Sequence, residues 1–377
     1  MVVWILLLLI ALVFAGWLLR WGVIFLRAAG ALLYLAGGMS PFLRRLYYRI
    51  EVHTEHYPHG EEGLLPYRVY RPLARSVAPA LVIYHGATPH GEEHPDLDNL
   101  ARALSHIGLI VFVPRLPRLK AVIIDESNLD SITTFYHYIQ GHERVCPGNI
   151  SVAGTSFAGG LLLKALLDED MHLPPPRAVL LFGTYCDLET TLRFILTGYV
   201  IEEGVEVTVE PDRWGQVIFF YNYLEYIPRS FNREAVRKML GYYVLDQVAE
   251  GDEARGRLPA RERRIADLIL TPGNPESSAL AEEVLQHVRP LIEKLSPSRF
   301  HSRIYFPFWV LHGHSDTMVP YTEALALKRL MPRQVRLYVS IRYGHKQLGC
   351  ESSFWRSLRD MVGLVVYLGR FLYTVEE

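Results

Sequence analysis

Cysteine is scarce in this chain, with three among 377 residues, at positions 146, 186 and 350. An odd number at wide spacing builds neither a disulfide framework nor a zinc site, and it fits a reducing compartment. An excess of charge of one sign is missing as well. The formal net charge is −1, so no overall field recruits nucleic acid or acidic ligands. There is no internal repeat, no low-complexity tract, no glycine-rich phosphate loop and no G-x-G-x-x-G fingerprint. No cofactor is therefore expected. What the chain has in quantity is apolar side chains: half of it is hydrophobic and the mean hydropathy is +0.11. Such a length can bury one large core or two small ones.

The apolar excess begins at the amino terminus. Met1 to Leu19 carry no charged or strongly polar side chain, and Arg20 ends the run. About nineteen residues at roughly 1.5 Å each nearly match a hydrocarbon core of ~30 Å, so one spanning helix is the economical reading. A cleaved signal is disfavoured because nothing basic precedes the run. Arg20, Arg27, Arg44, Arg45 and Arg49 follow it with no acidic residue before Glu51. By the positive-inside rule this places the remainder of the chain in the cytoplasm and the amino terminus outside. The next apolar stretch, Trp21 to Met39, is read as the same helix continuing along the interface, with Arg20 and Arg27 reaching headgroups. A second span closing a hairpin is the alternative. Residues 1–48 thus form an anchor and juxtamembrane segment.

From residue 49 onward strand and helix signals alternate. Arg49 to His56 and Leu64 to Tyr70 read as a strand pair around His59–Gly63. Ala80–Tyr84, Leu109–Val113, the run at Ile150, Arg177–Phe182, Phe308–His312 and Val335–Ser340 read as buried strands. Leu97–Ile107, Asp130–Gln140, Glu323–Met331 and Ser352–Tyr373 read as helices. Continuous apolar strands alternating with helices mean a mostly parallel, doubly wound α/β sheet. The alternation breaks over 186–297, which is mainly helical and aromatic-rich. That stretch reads as a lid inserted between two core pieces, 49–185 and 298–377; a packed helical domain without a role over the site is the competing reading.

The chemistry centres on Gly154-Thr155-Ser156-Phe157-Ala158-Gly159, where a β-branched run turns into a helical composition with a serine at the corner. Such a turn needs small neighbours so that strand and helix can approach. Ala158 stands where glycine is usual in G-x-S-x-G. A serine there also serves as a helix N-cap. A serine hydroxyl becomes a nucleophile when an imidazole accepts its proton and a carboxylate orients that imidazole. Asp316 follows one strand, within His312-Gly313-His314-Ser315-Asp316-Thr317-Met318-Val319-Pro320, and His345 follows the next, within Tyr343-Gly344-His345. Reactive groups in open α/β sheets gather outside the carboxyl ends of the strands. Asp187, after the preceding strand, is a rival acid. His312 and His314 read as structural supports of the acid loop. The His85, His90, Glu92, Glu93, His94 cluster reads as a polar rim rather than a metal site.

In the order nucleophile, acid, histidine, and in its H-G-x-x-D-x-x-V-P and G-H segments, the region from about residue 50 resembles the α/β-hydrolase family. The resemblance implies an α/β-hydrolase fold, with Ser156 as nucleophile, His345 as base and then acid, and Asp316 as orienting acid. It further implies an oxyanion hole made by the backbone N–H groups of Phe157 and Ala87. The expected activity is serine hydrolysis of a carboxylic ester, apolar or lipid-like, by a membrane-anchored enzyme. An acyltransferase or peptidase using the same triad, and a non-catalytic membrane scaffold, are the alternatives.

Overall fold

The computed structural model describes residues 2–38, 45, 47–167, 174–202, 204–271, 275–299, 307–341 and 354–376. Its first element, α1 (Val2–Leu35), is one unbroken helix of 34 residues. At roughly 1.5 Å per residue it rises ~51 Å, well beyond a hydrocarbon core of ~30 Å. Its Phe14–Leu35 stretch is long and apolar enough to cross a membrane by length and composition. The hairpin alternative is corrected, because no turn interrupts the helix. The interfacial course expected for its second half is corrected too. Arg27 turns inward, its Nε donating to Ile107 O at 2.6 Å and a terminal nitrogen pairing with Glu376 at 2.5 Å. Ile24, Ala28 and Ala31 are buried among core residues, and the ring of Trp21 stacks on Tyr373 at 4.4 Å. Small side chains on one face permit that approach: the ring of Tyr47 occupies the space a Cβ on Gly30 would need. The helix ends in a left-handed glycine cap, with Gly37 at φ +68°, Gly38 N donating to Leu33 O and Gly37 N to Tyr34 O.

Next come β1 (Ile50–His59) and β2 (Gly63–Pro72), an antiparallel pair. Then follow β3 (Ala78–Tyr84), α2 (Pro95–His106), β4 (Ile110–Pro114), the short α3 (Pro117–Lys120) and α4 (Ser127–Ile139). The serine turn joins β5 (Val145–Thr155) to α5 (Phe157–Leu167), and β6 (Val179–Phe182) precedes the insertion. The insertion holds α6 (Leu188–Thr197), a hairpin of β7 (Tyr199–Glu202) and β8 (Val205–Thr208), then α7 (Arg213–Tyr223), α8 (Arg233–Val244), α9 (Val248–Arg257), α10 (Ala260–Leu270) and α11 (Pro275–Lys294). The chain then returns with β9 (Phe308–Gly313), α12 (Thr322–Leu330), β10 (Val335–Ser340) and α13 (Phe354–Glu376).

Among the described residues the main sheet has eight strands in the order β1-β2-β4-β3-β5-β6-β9-β10. The first two strands join antiparallel and the rest run parallel. The pleat of β3 sends Leu81 and Ile83 to one core and Ala80, Val82 and Tyr84 to the other. α1, α2 and α13 cover the first face, while α4, α5, α12 and the insertion cover the second. Both faces are covered, so β4 is buried at every position, as its unbroken apolar sequence requires. Pairing of Tyr84 with Gly154, of Thr155 with Phe182, of Phe182 with Leu311 and of Gly313 with Ser340 aligns the strand ends. The loops after β3, β5, β6 and β9 therefore leave from one edge. The β7–β8 hairpin went unanticipated in the sequence, its strands being only four residues each.

Candidate active site

Ser156 sits between β5 and α5 with φ +52°, the left-handed region that costs a non-glycine residue about 1 kcal/mol or more. Two backbone hydrogen bonds hold it there: Ser156 N donates to Phe182 O at 2.8 Å, and Gly159 N donates to Ser156 O at 3.0 Å. The close approach of strand and helix falls between Gly154 and Gly159. A Cβ on Gly154 would lie 2.7 Å from Gly159 Cα and 3.0 Å from Ala158 O. Ala158 itself is fully buried, and its methyl group fits. Gly159 therefore does the work that the sequence reading sought at 158. Replacing Gly154 with alanine presses a methyl group onto backbone that cannot rotate away. We expect Gly154→Ala to destabilise the protein by about 3 kcal/mol, as overpacking does, read from urea unfolding.

The loop after β3 lies directly against the serine. A Cβ on Gly86 would sit 3.1 Å from Ser156 Cβ and 3.1 Å from Thr155 O, so its neighbours would have to give way by a few tenths of an ångström. Gly86 N donates to Thr155 Oγ1 at 3.0 Å, and that hydroxyl donates to Tyr84 O at 3.3 Å. His85 is buried, with Nδ1–H donating to Gly86 O at 2.8 Å and Nε2 accepting from Leu116 N at 3.1 Å. Burial pushes its pKa down to about 4, against the raising effect of the Gly86 carbonyl, so the ring is neutral and its tautomer fixed at neutral pH. Phe157 opens α5, so its N–H is one of those with no carbonyl a turn behind it. Ala87 flanks the same cavity as Ser156 and Phe157.

Asp316 lies beyond the end of β9 with its side chain shut off from solvent. One carboxylate oxygen accepts from Met318 N at 2.8 Å and Val319 N at 2.9 Å. The other lies 3.6 Å from His312 Nε2, which donates to Val319 O at 2.8 Å. His312 thus braces the acid loop, and His314 stacks on Tyr321 with ring centroids 4.6 Å apart. His345 lies outside the described residues, as does Cys350. Asp187 is a helix N-cap: it accepts from Glu189 N at 2.9 Å and Thr190 N at 3.3 Å, and from Ser298 Oγ at 2.6 Å.

Among solved structures the chain is similar to an acylaminoacyl peptidase from Pyrococcus horikoshii, with a TM-score of 0.52 and 12% identity over 89% of this chain and 43% of that one. It is also similar to carboxyl esterase 2 from the mycorrhizal fungus Tuber melanosporum, with a TM-score of 0.46 and 14% identity over 87% of each chain. For an esterase from Pyrobaculum calidifontis the TM-score is 0.45, with 16% identity over 93% of this chain and 90% of that one. This chain has the α/β-hydrolase fold. It spans less than half the length of the peptidase that it matches. No protein-family model and no curated protein sequence matches it.

A cavity of about 1280 Å³ opens at the α/β-hydrolase strand ends, lined by Ser156, Phe157 and the His85–His90 loop. That exceeds the ~300–1,000 Å³ of ordinary small-ligand sites. The insertion supplies much of its wall, including Trp214 and Val217 from α7, Val244 from α8 and Ile269 from α10. Asp212 N donates to Thr317 O at 3.0 Å, tying the start of α7 to the acid loop. At the rim Tyr243 donates to Asp252 at 2.8 Å.

The charged loop residues are otherwise engaged. Glu92 is buried; Arg115 donates to it twice, at 2.8 and 2.6 Å, and Lys120 at 3.2 Å. Burial raises its pKa, but these two cations outweigh it and the net direction is down. His94 caps α2 by accepting from Asp96 N at 3.2 Å. Among the described residues no group of His, Cys, Asp and Glu is placed to hold a metal ion.

Glu323, which the sequence reading missed, is a buried carboxyl at the start of α12. It accepts from Cys186 N at 2.9 Å, Asp187 N at 2.8 Å and Thr190 Oγ1 at 2.5 Å. Burial pushes its pKa up to about 7, against those hydrogen bonds. A carboxyl with a raised folded pKa leaves stability intact below about pH 4.5 and loses it as pH rises to 7. Glutamine keeps the acceptor for both amides and can donate to the threonine hydroxyl. Glu323→Gln is therefore expected to unfold later than the native protein at pH 8, by up to about 3 kcal/mol. At pH 4.5 the difference disappears, which urea melts at the two pH values would check.

Proposed function

We propose that this chain is a serine hydrolase acting on carboxylic esters with an apolar acyl part. The observation that carries the reading is Ser156 held in the left-handed region at the strand-to-helix corner, facing a cavity with the loop at Gly86 packed close against it. On this reading Ser156 Oγ attacks the ester carbonyl and its proton passes to His345. The C–O bond to the alcohol breaks, and the alcohol leaves with that proton. Water then gives a proton to His345 and its oxygen bonds the acyl carbon. Ser156 leaves with the proton returned, releasing the acid. Phe157 N–H and Ala87 N–H face the oxyanion. Asp316, already fixed by two backbone amides, orients the imidazole.

The esters and peptides named for the structurally similar proteins share the acyl-transfer step, and a cavity walled mainly by apolar side chains favours the ester side. α1 is read as a membrane anchor with the hydrolase body in the cytoplasm, and 186–297 as a lid. On this reading Arg27 and Ala28, which are locked into the folded body, hold that body close to the anchor. The test is fluorophosphonate labelling of the full chain in detergent, with p-nitrophenyl ester turnover measured beside it. Folded protein that neither labels nor turns over an ester would overturn the reading.

A further inference from the structure

The cavity at Ser156 also has walls that come from neither the sheet edge nor the insertion. Ala31 and Leu35 of α1, Leu100 and Leu104 of α2, and Leu364 and Leu368 of α13 line it. Every one of these side chains is apolar. On α1, Arg27 is spent on Ile107 O and Glu376 and is absent from the lining, while Asp96 and Asn99 of α2 line the same cavity nearer the loops at the strand ends. A cavity lined both by Ser156 and by the apolar side chains of a long helix can hold a chain of methylenes. We propose that the last turns of α1 form one wall of an acyl-chain site, so that the amino-terminal helix determines substrate chain length as well as location. The class of substrate is a long, single-chain acyl ester whose carbonyl sits at Ser156 and whose tail lies between α1, α2 and α13.

This inference rests on the hydrolase reading above and deepens it. Three features of α1 bear on it directly. The glycine cap at Gly37 and Gly38 stops the helix just past the cavity wall. Arg27 and the stack of Trp21 on Tyr373 hold α1 against α13, so the wall has a fixed position. Leu35 is only partly buried, which leaves its side chain free to be exchanged at modest cost to packing.

The test uses the full chain in detergent with p-nitrophenyl esters from C4 to C16, comparing Leu35→Trp with Leu35→Ala. Tryptophan fills the space beside α1, and the ratio of kcat/KM for C12 over C4 is expected to fall tenfold or more. Alanine enlarges that space and should move the preferred chain to a longer ester. Fluorophosphonates with short and long alkyl chains, scored by labelling rate, give the same comparison without turnover. Wild-type chain-length ratios in both variants, with Ser156 still labelled, would overturn the proposal and leave the hydrolase reading standing. Wild-type protein that neither labels nor hydrolyses any ester sinks that reading, and this proposal with it.

Discussion

Ser156→Ala is expected to lower ester turnover roughly 10⁶-fold and to abolish fluorophosphonate labelling. On the proposed mechanism, removing one oxygen deletes the atom that would form the acyl-enzyme, and the backbone of the corner stays as it is. The methyl group of alanine occupies the place of the serine Cβ, already accommodated beside Gly86. The positive φ costs alanine about what it costs serine, so the unfolding midpoint should hold. Residual catalysis over water would come from the backbone donors at Phe157 and Ala87 and from binding. Turnover within tenfold of wild type would place the nucleophile elsewhere.

Asp316→Asn should cost roughly 10⁴-fold in kcat with little loss of stability. The asparagine carbonyl can keep both amide hydrogen bonds, from Met318 N and Val319 N. Its NH₂ then replaces an accepting oxygen with a donor, which presents the wrong partner to an imidazole and favours the wrong tautomer. A small effect on kcat would move the role of acid to Asp187, although that residue already caps α6 through two backbone amides. The variant protein is checked by circular dichroism and by fluorophosphonate labelling, which should slow without vanishing.

The sheet was legible because its strands are unbroken apolar runs. Ala80–Tyr84 and Leu109–Val113 have no other stable place than a core covered on both faces, and β3 and β4 occupy it. The placement of Ser156 and Asp316 beyond strand ends was legible because each follows such a run, and strand ends gather at one edge. The role of Gly159 was hidden, since a sequence motif counts positions and the contact depends on how α5 leaves the corner. Glu323 was hidden for a related reason: nothing local marks a helix-start glutamate that a distant loop, Cys186–Asp187, will bury. Arg27 was misread because a charge in an apolar run suggests headgroups, whereas its partners, Ile107 and Glu376, lie 80 positions and most of the chain away. Long-range pairing leaves no local trace.

If α1 is the proposed anchor, its unbroken course would make the folded body a lever arm. A flexible tether would let an anchored enzyme tumble above its membrane. Here the helix that would cross the bilayer continues unbroken until its flank is fixed in the fold. Spanning helices lean by about 20° on average and lean further when the bilayer thins. Any such lean would swing the mouth of the cavity toward or away from the lipid surface by the same angle. Bilayer thickness would then set the tilt of the enzyme, and with it the rate at which an acyl chain finds the serine.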